Sequence, residues 1–216
     1  MKVLVVGSGG REHALVRKLK ESALVTELFC APGNGGIAKD ATCLPVKATD
    51  IDGMVATAKE IGADFVVVAP DDPLVLGMVD ALNQAGLATF GPTRAAAALE
   101  GSKAFSKQLM RTYEIPTAAY EVFDRLEDAI AYVRGQPSFP VVIKADGLAL
   151  GKGVVIAQTL KEAEQVLREM MERKKFGDAG SRVVVEEFLT GPEVSVLAFT
   201  DGTTILPMVS SMDHKR

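Results

Sequence analysis

Val3-Leu4-Val5-Val6 is an unbroken apolar run rich in β-branched residues; it stops at Gly7-Ser8-Gly9-Gly10 and gives way to a segment of helical period. A run with no alternating polar positions has no face to offer water, so it fits a strand covered on both sides, as in a parallel sheet between helices. The pattern recurs at 65–69. Between the two runs, Ile51, Met54, Val55, Ala58 and Ile61 repeat at helical spacing. A further helix is expected from about Pro73, with Asp72 as cap and proline at the first helical position. Its apolar stripe is Leu74, Val75, Met78, Val79 and Leu82. Repeated βα units imply an open α/β sheet with right-handed crossovers. With 48% hydrophobic and 24% charged residues among 216, the chain can build a core for one large or two small domains.

The rhythm changes after Gly101. Phe105, Leu109 and Tyr113 share one face of a predicted helix, which Pro116 follows. Asp124 with Glu127, and Thr159 with Glu162, read as capping boxes. One opens a helix carrying Leu126, Ala129, Ile130 and Val133; the other opens a helix carrying Leu160, Ala163, Val166, Leu167 and Met170. Strand-like runs lie at 141–144, 154–157 and 183–189, and Asp201-Gly202 suits a type I′ hairpin. The expected architecture is α/β: an open parallel sheet over residues 1–101, then an α+β unit with antiparallel strands over 102–216.

The formal net charge of −4 supplies no global basic field for nucleic acid. No apolar run is long enough to span a bilayer, and the first residues show no signal-peptide pattern. Cys30 and Cys43 have neither a disulfide framework nor zinc spacing, and read as free thiols of a reducing compartment. His13 and His214 are too scattered for a histidine metal site. A soluble cytoplasmic protein with neither nucleic-acid nor membrane partners is expected; its oligomeric state is not legible.

Two glycine clusters carry the chemistry. At Gly7-Ser8-Gly9-Gly10-Arg11-Glu12-His13, backbone N–H groups of a strand-to-helix turn favour anions. A dinucleotide fingerprint would need a third glycine where Glu12 stands, and an acid after the second strand, which instead runs into Cys30-Ala31-Pro32-Gly33. Three readings stay open: a tight turn without ligand, a phosphate or small-substrate site with Arg11 as cation, and a dinucleotide site. The second cluster runs from Val141 through Lys144, Gly147, Gly151, Lys152 and Gly153 to Ile156. It is not a Walker A loop, because the glycine spacing is one residue short and a strand follows. A glycine loop between antiparallel strands can donate N–H groups to a triphosphate, and Lys144 and Lys152 can neutralise its charge. The plain alternative is a solvated hairpin with ordinary lysines. At the end of the 183–189 run, strand backbone can meet an adenine edge between Phe188 and Leu189, with Glu193 near the ribose.

Taken together, Gly9-Gly10-Arg11-Glu12-His13-Ala14-Leu15, Phe90-Gly91-Pro92-Thr93, Leu99-Glu100-Gly101-Ser102-Lys103-Ala104-Phe105, Ile143-Lys144-Ala145-Asp146-Gly147, Phe176-Gly177-Asp178-Ala179-Gly180, Glu186-Glu187-Phe188-Leu189 and Asp213-His214-Lys215-Arg216 resemble the phosphoribosylamine–glycine ligases of the ATP-grasp superfamily. The resemblance spans the whole chain. It implies a Rossmann-like domain at 1–101, then at 102–216 the first part of an ATP-grasp domain, truncated. The implied reaction joins glycine to 5-phosphoribosylamine through glycyl phosphate, consuming ATP and yielding glycinamide ribonucleotide, ADP and phosphate in purine biosynthesis. It implies Lys103 and Lys144 on the ATP phosphates, Gly147, Gly151, Lys152 and Gly153 over them, Glu186, Phe188 and Leu189 at adenine, and Glu193 at ribose. Gly9, Gly10 and Arg11 are then expected on the substrate phosphate, and Asp213 and Lys215, with Lys144, at the reacting groups. The magnesium ligands of the family are expected beyond Arg216, so none is assigned here and this chain alone is expected to be inactive.

The chain departs from the family pattern at Ala69-Pro70-Asp71-Asp72-Pro73, where a glycine-proline-glutamate run is usual, and at Pro192. Three other functions compete: an NAD-binding oxidoreductase, a non-catalytic nucleotide-binding remnant, and an ATP-grasp ligase of another carboxylate and amine.

Overall fold

In the computed structural model, which describes residues 1–149 and 152–212, the first apolar run becomes β1 (Lys2–Gly7), buried from Val3 onward. It lies at the centre of a sheet with β2 (Glu27–Pro32) and β3 (Thr42–Cys43) on one side and β4 (Phe65–Val68) and β5 (Thr89–Phe90) on the other. Every pairing is parallel. The two-residue period of the strand divides its side chains between two cores. Leu4 and Val6 pack with Met54 and Ala58 of α2 (Ile51–Glu60) and with Met78 and Leu82 of α4 (Met78–Gln84). Val3 and Val5 pack with Val16 of α1 (Gly10–Lys20) and with Ile37. The expected Rossmann-like layering follows: a parallel sheet with helices on both faces.

The helix expected from Pro73 is instead two helices. α3 (Asp71–Leu76) begins two residues earlier behind Pro70, and Gly77, at φ +94°, separates it from α4. Pro73 falls within the first helical turn, where its missing N–H has no intrahelical partner to lose. α5 (Arg94–Gly101) leads to Ser102, whose hydroxyl accepts from the Phe105 N–H and opens α6 (Lys103–Thr112). The face of α6 that carries Phe105 and Tyr113 leaves both exposed, while Ala104 and Lys107 are buried.

The second half builds an antiparallel sheet in the order β6 (Tyr120–Phe123), β9 (Val183–Glu187), β7 (Val141–Ala145), β8 (Val154–Ala157). α7 (Leu126–Arg134) and α8 (Leu160–Leu167) bury their apolar stripes against it. Thr159 caps α8 as expected, taking the Glu162 N–H at 3.2 Å. Asp124 does not cap α7; its carboxylate takes Arg182 Nε at 2.6 Å, and the position before the helix falls to Arg125. The Asp201-Gly202 turn is also longer than a two-residue hairpin. β11 (Ala198–Thr200) and β12 (Ile205–Pro207) pair Thr200 with Ile205, and Asp201 Oδ1 accepts the Thr203 and Thr204 N–H groups inside the loop. β10 (Val194–Ser195) pairs with β13 (Ser211–Met212).

Candidate functional site

A cleft runs from the glycine turn after β1 to the lysines of the second sheet. Its first compartment, about 530 Å³, is walled by Gly9, Gly10, Arg11 and Glu12 on one side, by Asp71, Asp72 and Glu100, and by Lys103, Leu148, Ala149 and Gly153 opposite. Its second, about 400 Å³, is lined by Lys103, Lys107, Lys144 and Glu186 among others. The two share Glu100, Lys103 and Val154.

The turn at its mouth needs glycine. Gly7 has φ +130°, and a Cβ there would lie 2.5 Å from Glu12 Cγ and 2.9 Å from Pro70 Cγ. Glu12 is buried, and its carboxylate accepts the Gly9 N–H. A dinucleotide pyrophosphate would need that donor, so the bond weighs against the NAD reading. Gly10 has open space where a side chain would be, and Arg11 is exposed at the cleft wall.

Lys103 is the first residue of α6. Its ammonium donates to the Gly147 carbonyl at 3.1 Å, and burial pushes its pKa below the usual lysine range, against the opposing pull of Asp146. Lys144, on β7, donates to Glu186 Oε2 at 2.8 Å; the same oxygen lies 3.2 Å from Lys107 Nζ. Asp146 fixes these groups relative to one another. Its carboxylate accepts from Ser102 Oγ at 3.0 Å and from the Ala104 N–H at 2.7 Å, so the glycine loop is tied to the start of the helix carrying Lys103. Arg182, itself held by Asp124, lies 3.7 Å from Asp146. Behind the loop, a Cβ on Gly147 would lie 2.9 Å from Ala179 Cβ, so the 177–180 turn braces it.

The cleft therefore collects Gly9, Gly10, Arg11, Lys103, Lys144, Gly153 and Glu186 from the sequence expectation. Gly147 faces the Ala179 side, and the exposed Lys152 uses its N–H on the Ala149 carbonyl. Phe188 lines a neighbouring cavity of about 340 Å³ that shares Glu186 with the second compartment, while Leu189 and Glu193 are exposed and line neither compartment of the cleft. Gly151, Asp213 and Lys215 lie outside the described residues. Sequence reasoning missed Lys107 and Asp146. The first stands one turn beyond Lys103 on the same helix face, and that spacing was the available signal. Among the described residues, no group of three or more histidine, cysteine or acidic side chains is placed to hold a metal ion. No helix among them is long and apolar enough to cross a membrane.

Comparison with known proteins adds a lineage. Residues 1–100 match the family model for the phosphoribosylglycinamide synthetase N domain, and residues 101–216 match that for the ATP-grasp (A) domain of the same synthetase. A phosphoribosylamine–glycine ligase of Xanthomonas campestris is 53% identical over the whole chain and 50% of its own length. One from Vibrio parahaemolyticus is 52% identical, over 100% of this chain and 51% of its own. The crystal structure of a phosphoribosylamine–glycine ligase from Thermotoga maritima superposes with a TM-score of 0.81 at 31% identity, covering 97% of this chain and 49% of that one. The chain thus spans about half the length of the relatives it matches.

Proposed function

The chain belongs to the phosphoribosylglycinamide synthetase family, and from that premise we propose that it supplies the nucleotide-phosphate and substrate-phosphate walls of an ATP-dependent, cytoplasmic carbon–nitrogen ligase. Residues 1–101 and 102–216 are the two domains, joined at Ser102. The substrates are glycine and 5-phosphoribosylamine. A glycine carboxylate oxygen attacks the γ-phosphorus of ATP; the bond to the β–γ bridging oxygen breaks, leaving ADP and glycyl phosphate. The amine of phosphoribosylamine then attacks the acyl carbon. The acyl C–O bond breaks, phosphate departs with the glycine oxygen, and the amine nitrogen loses a proton as the amide forms.

This chain's part is positioning and charge. Lys103 and Lys144 carry fixed positive charge to phosphate oxygens as negative charge shifts from the γ-phosphoryl group to ADP. Gly153 and the neighbouring loop backbone cover the phosphates; Gly10 and Arg11 face the phosphate of phosphoribosylamine across the cleft. The Gly9 N–H is held by Glu12, so Arg11 is the principal anion ligand on that wall. Magnesium would screen the triphosphate charge; among the described residues no group of three or more histidine, cysteine or acidic side chains is placed to hold it. Adenine at the strand-end backbone of Glu186 with Phe188 and Leu189, and ribose at Glu193, complete the reading.

The observation that carries it is the convergence of Lys103, Lys144 and Gly153 on a cleft whose far wall is the Gly9–Arg11 turn. The test is phosphate release by the full-length protein with ATP, glycine and freshly made phosphoribosylamine. Turnover should need both substrates, and Lys144→Ala should lower kcat/KM for ATP by roughly a hundredfold, a charge-assisted contact worth about 2–3 kcal/mol. Turnover with a different amino acid in preference to glycine, or an unaffected Lys144→Ala enzyme, would refute it.

A further inference from the structure

One buried lysine in the cleft has no place in the chemistry just described. Lys107 follows Lys103 by one turn of α6, and its side chain is only 10% exposed. Its ammonium lies 3.2 Å from Glu186 Oε2, donates to Thr117 Oγ1 at 2.7 Å and to the Ala118 carbonyl at 3.5 Å, and sits 5.3 Å from the centre of the Tyr120 ring. These partners hold it on the inner side of the cleft. Glu186 is 5% exposed, and its Oε2 is shared between Lys107 and Lys144. Its Oε1 is buried with no hydrogen-bond partner.

One carboxylate thus serves two ammoniums. If Lys144 were its only counter-ion, turning Lys144 toward a phosphate would strand a buried carboxylate without a partner, which is strongly unfavourable. Lys144 would then stay on Glu186 and the phosphate would lose its ligand. With Lys107 in place, Glu186 keeps a charged partner whichever way Lys144 points. Lys103 cannot substitute, because its ammonium is directed at the Gly147 and Asp146 carbonyls.

We infer that Lys107 is a positioning residue: it holds the charge of Glu186 and so leaves Lys144 free to engage phosphate. This rests on the assignment of Lys144 to phosphate made above. It also makes a prediction that a simple packing role does not. Removing Lys107 should be harmful, and then removing the charge of Glu186 should repair much of the harm, because an amide no longer tethers Lys144.

The experiment measures ATP and adenosine affinity by calorimetry on the full-length protein. Lys107→Met should weaken ATP by roughly tenfold or more, the effect of leaving a buried ion pair without its third member, while adenosine, which carries no phosphate, binds as it does to the unaltered protein. Adding Glu186→Gln to Lys107→Met should recover most of the ATP affinity. Unchanged ATP affinity in Lys107→Met, equal loss of ATP and adenosine, or a double variant no tighter than the single one would each overturn the inference. Lys144→Ala run alongside separates the two failures. If it binds ATP normally, the phosphate assignment of Lys144 is wrong. If it binds weakly while Lys107→Met binds normally, only the role of Lys107 is wrong.

Discussion

Asp146→Ala removes the carboxylate that joins the glycine loop to α6. Three groups lose their acceptor: Ser102 Oγ at 3.0 Å, the Ala104 N–H at 2.7 Å and, at the longer distance of 3.7 Å, the Arg182 guanidinium. The Ala104 N–H is one of the unpaired donors of a helix start, so its bond to a carboxylate adds charge assistance to capping. A hydrogen bond to a charged group contributes about 1.5–3 kcal/mol, and a donor left part-buried costs about another 1 kcal/mol. Arg182 keeps its 2.6 Å bond to Asp124 and stays half-exposed, so its share is small. The expected loss is about 3 kcal/mol of unfolding free energy, measured by urea denaturation. Asp146→Asn keeps one acceptor oxygen and should lose about half as much. ATP affinity should fall in the same order, because Lys103 is the residue between Ser102 and Ala104. A loss below about 0.5 kcal/mol for the alanine variant, the range of an ordinary surface substitution, would show that Asp146 does not clamp the two elements.

Two further outcomes are expected. Leu148, Ala149 and Gly153 line the cleft, so their amide hydrogen exchange should slow on adding ATP and magnesium; equal exchange at saturation would remove the loop from the phosphate site. Burial holds the Lys103 pKa below the lysine range, so folding disfavours its charged form relative to the unfolded chain. The resulting stability cost is full below the folded pKa and is relieved as pH rises through it toward the unfolded value. Phosphate binding needs the charged form, so ATP affinity should start to fall at a lower alkaline pH than an ordinary lysine gives. Lys103→Arg should move that fall upward, and an unmoved limb would exclude Lys103 as its source.

The parallel sheet was legible because a strand buried on both faces has an apolar pattern that few other elements share, and Val3–Val6 shows it plainly. The lysines and glycines of the cleft were legible because phosphate chemistry restricts residue types. The misreadings share one cause, a partner distant in sequence or a local bond that pattern alone does not reveal. Asp124 has the residue type of a cap, yet its carboxylate is claimed by Arg182, distant in sequence but at the same end of the neighbouring strand. Phe105 and Tyr113 have the spacing of a buried face, but the sheet meets α6 through Ala104 and a paired Lys107. A lysine reads as solvent-facing until its counter-ion is known, so the Lys107–Glu186–Lys144 arrangement required the fold. Phe188, Leu189 and Glu193 were assigned to the nucleotide by strand position and family resemblance; Phe188 lines a cavity that shares Glu186 with the lysine cleft, and Leu189 and Glu193 are exposed.

The central claim is that the cleft serves transfer of a phosphoryl group to the carboxylate of glycine, followed by amide formation. Oxygen tracing tests it most directly. Glycine labelled with oxygen-18 in both carboxylate positions is incubated with ATP, magnesium, phosphoribosylamine and the full-length protein, and the released phosphate is analysed by mass spectrometry. Passage through glycyl phosphate predicts one labelled oxygen in each phosphate released, and one retained in the amide product. Phosphate carrying no label, with amide still formed, would contradict the account, because the glycine oxygen would then never have been bonded to phosphorus.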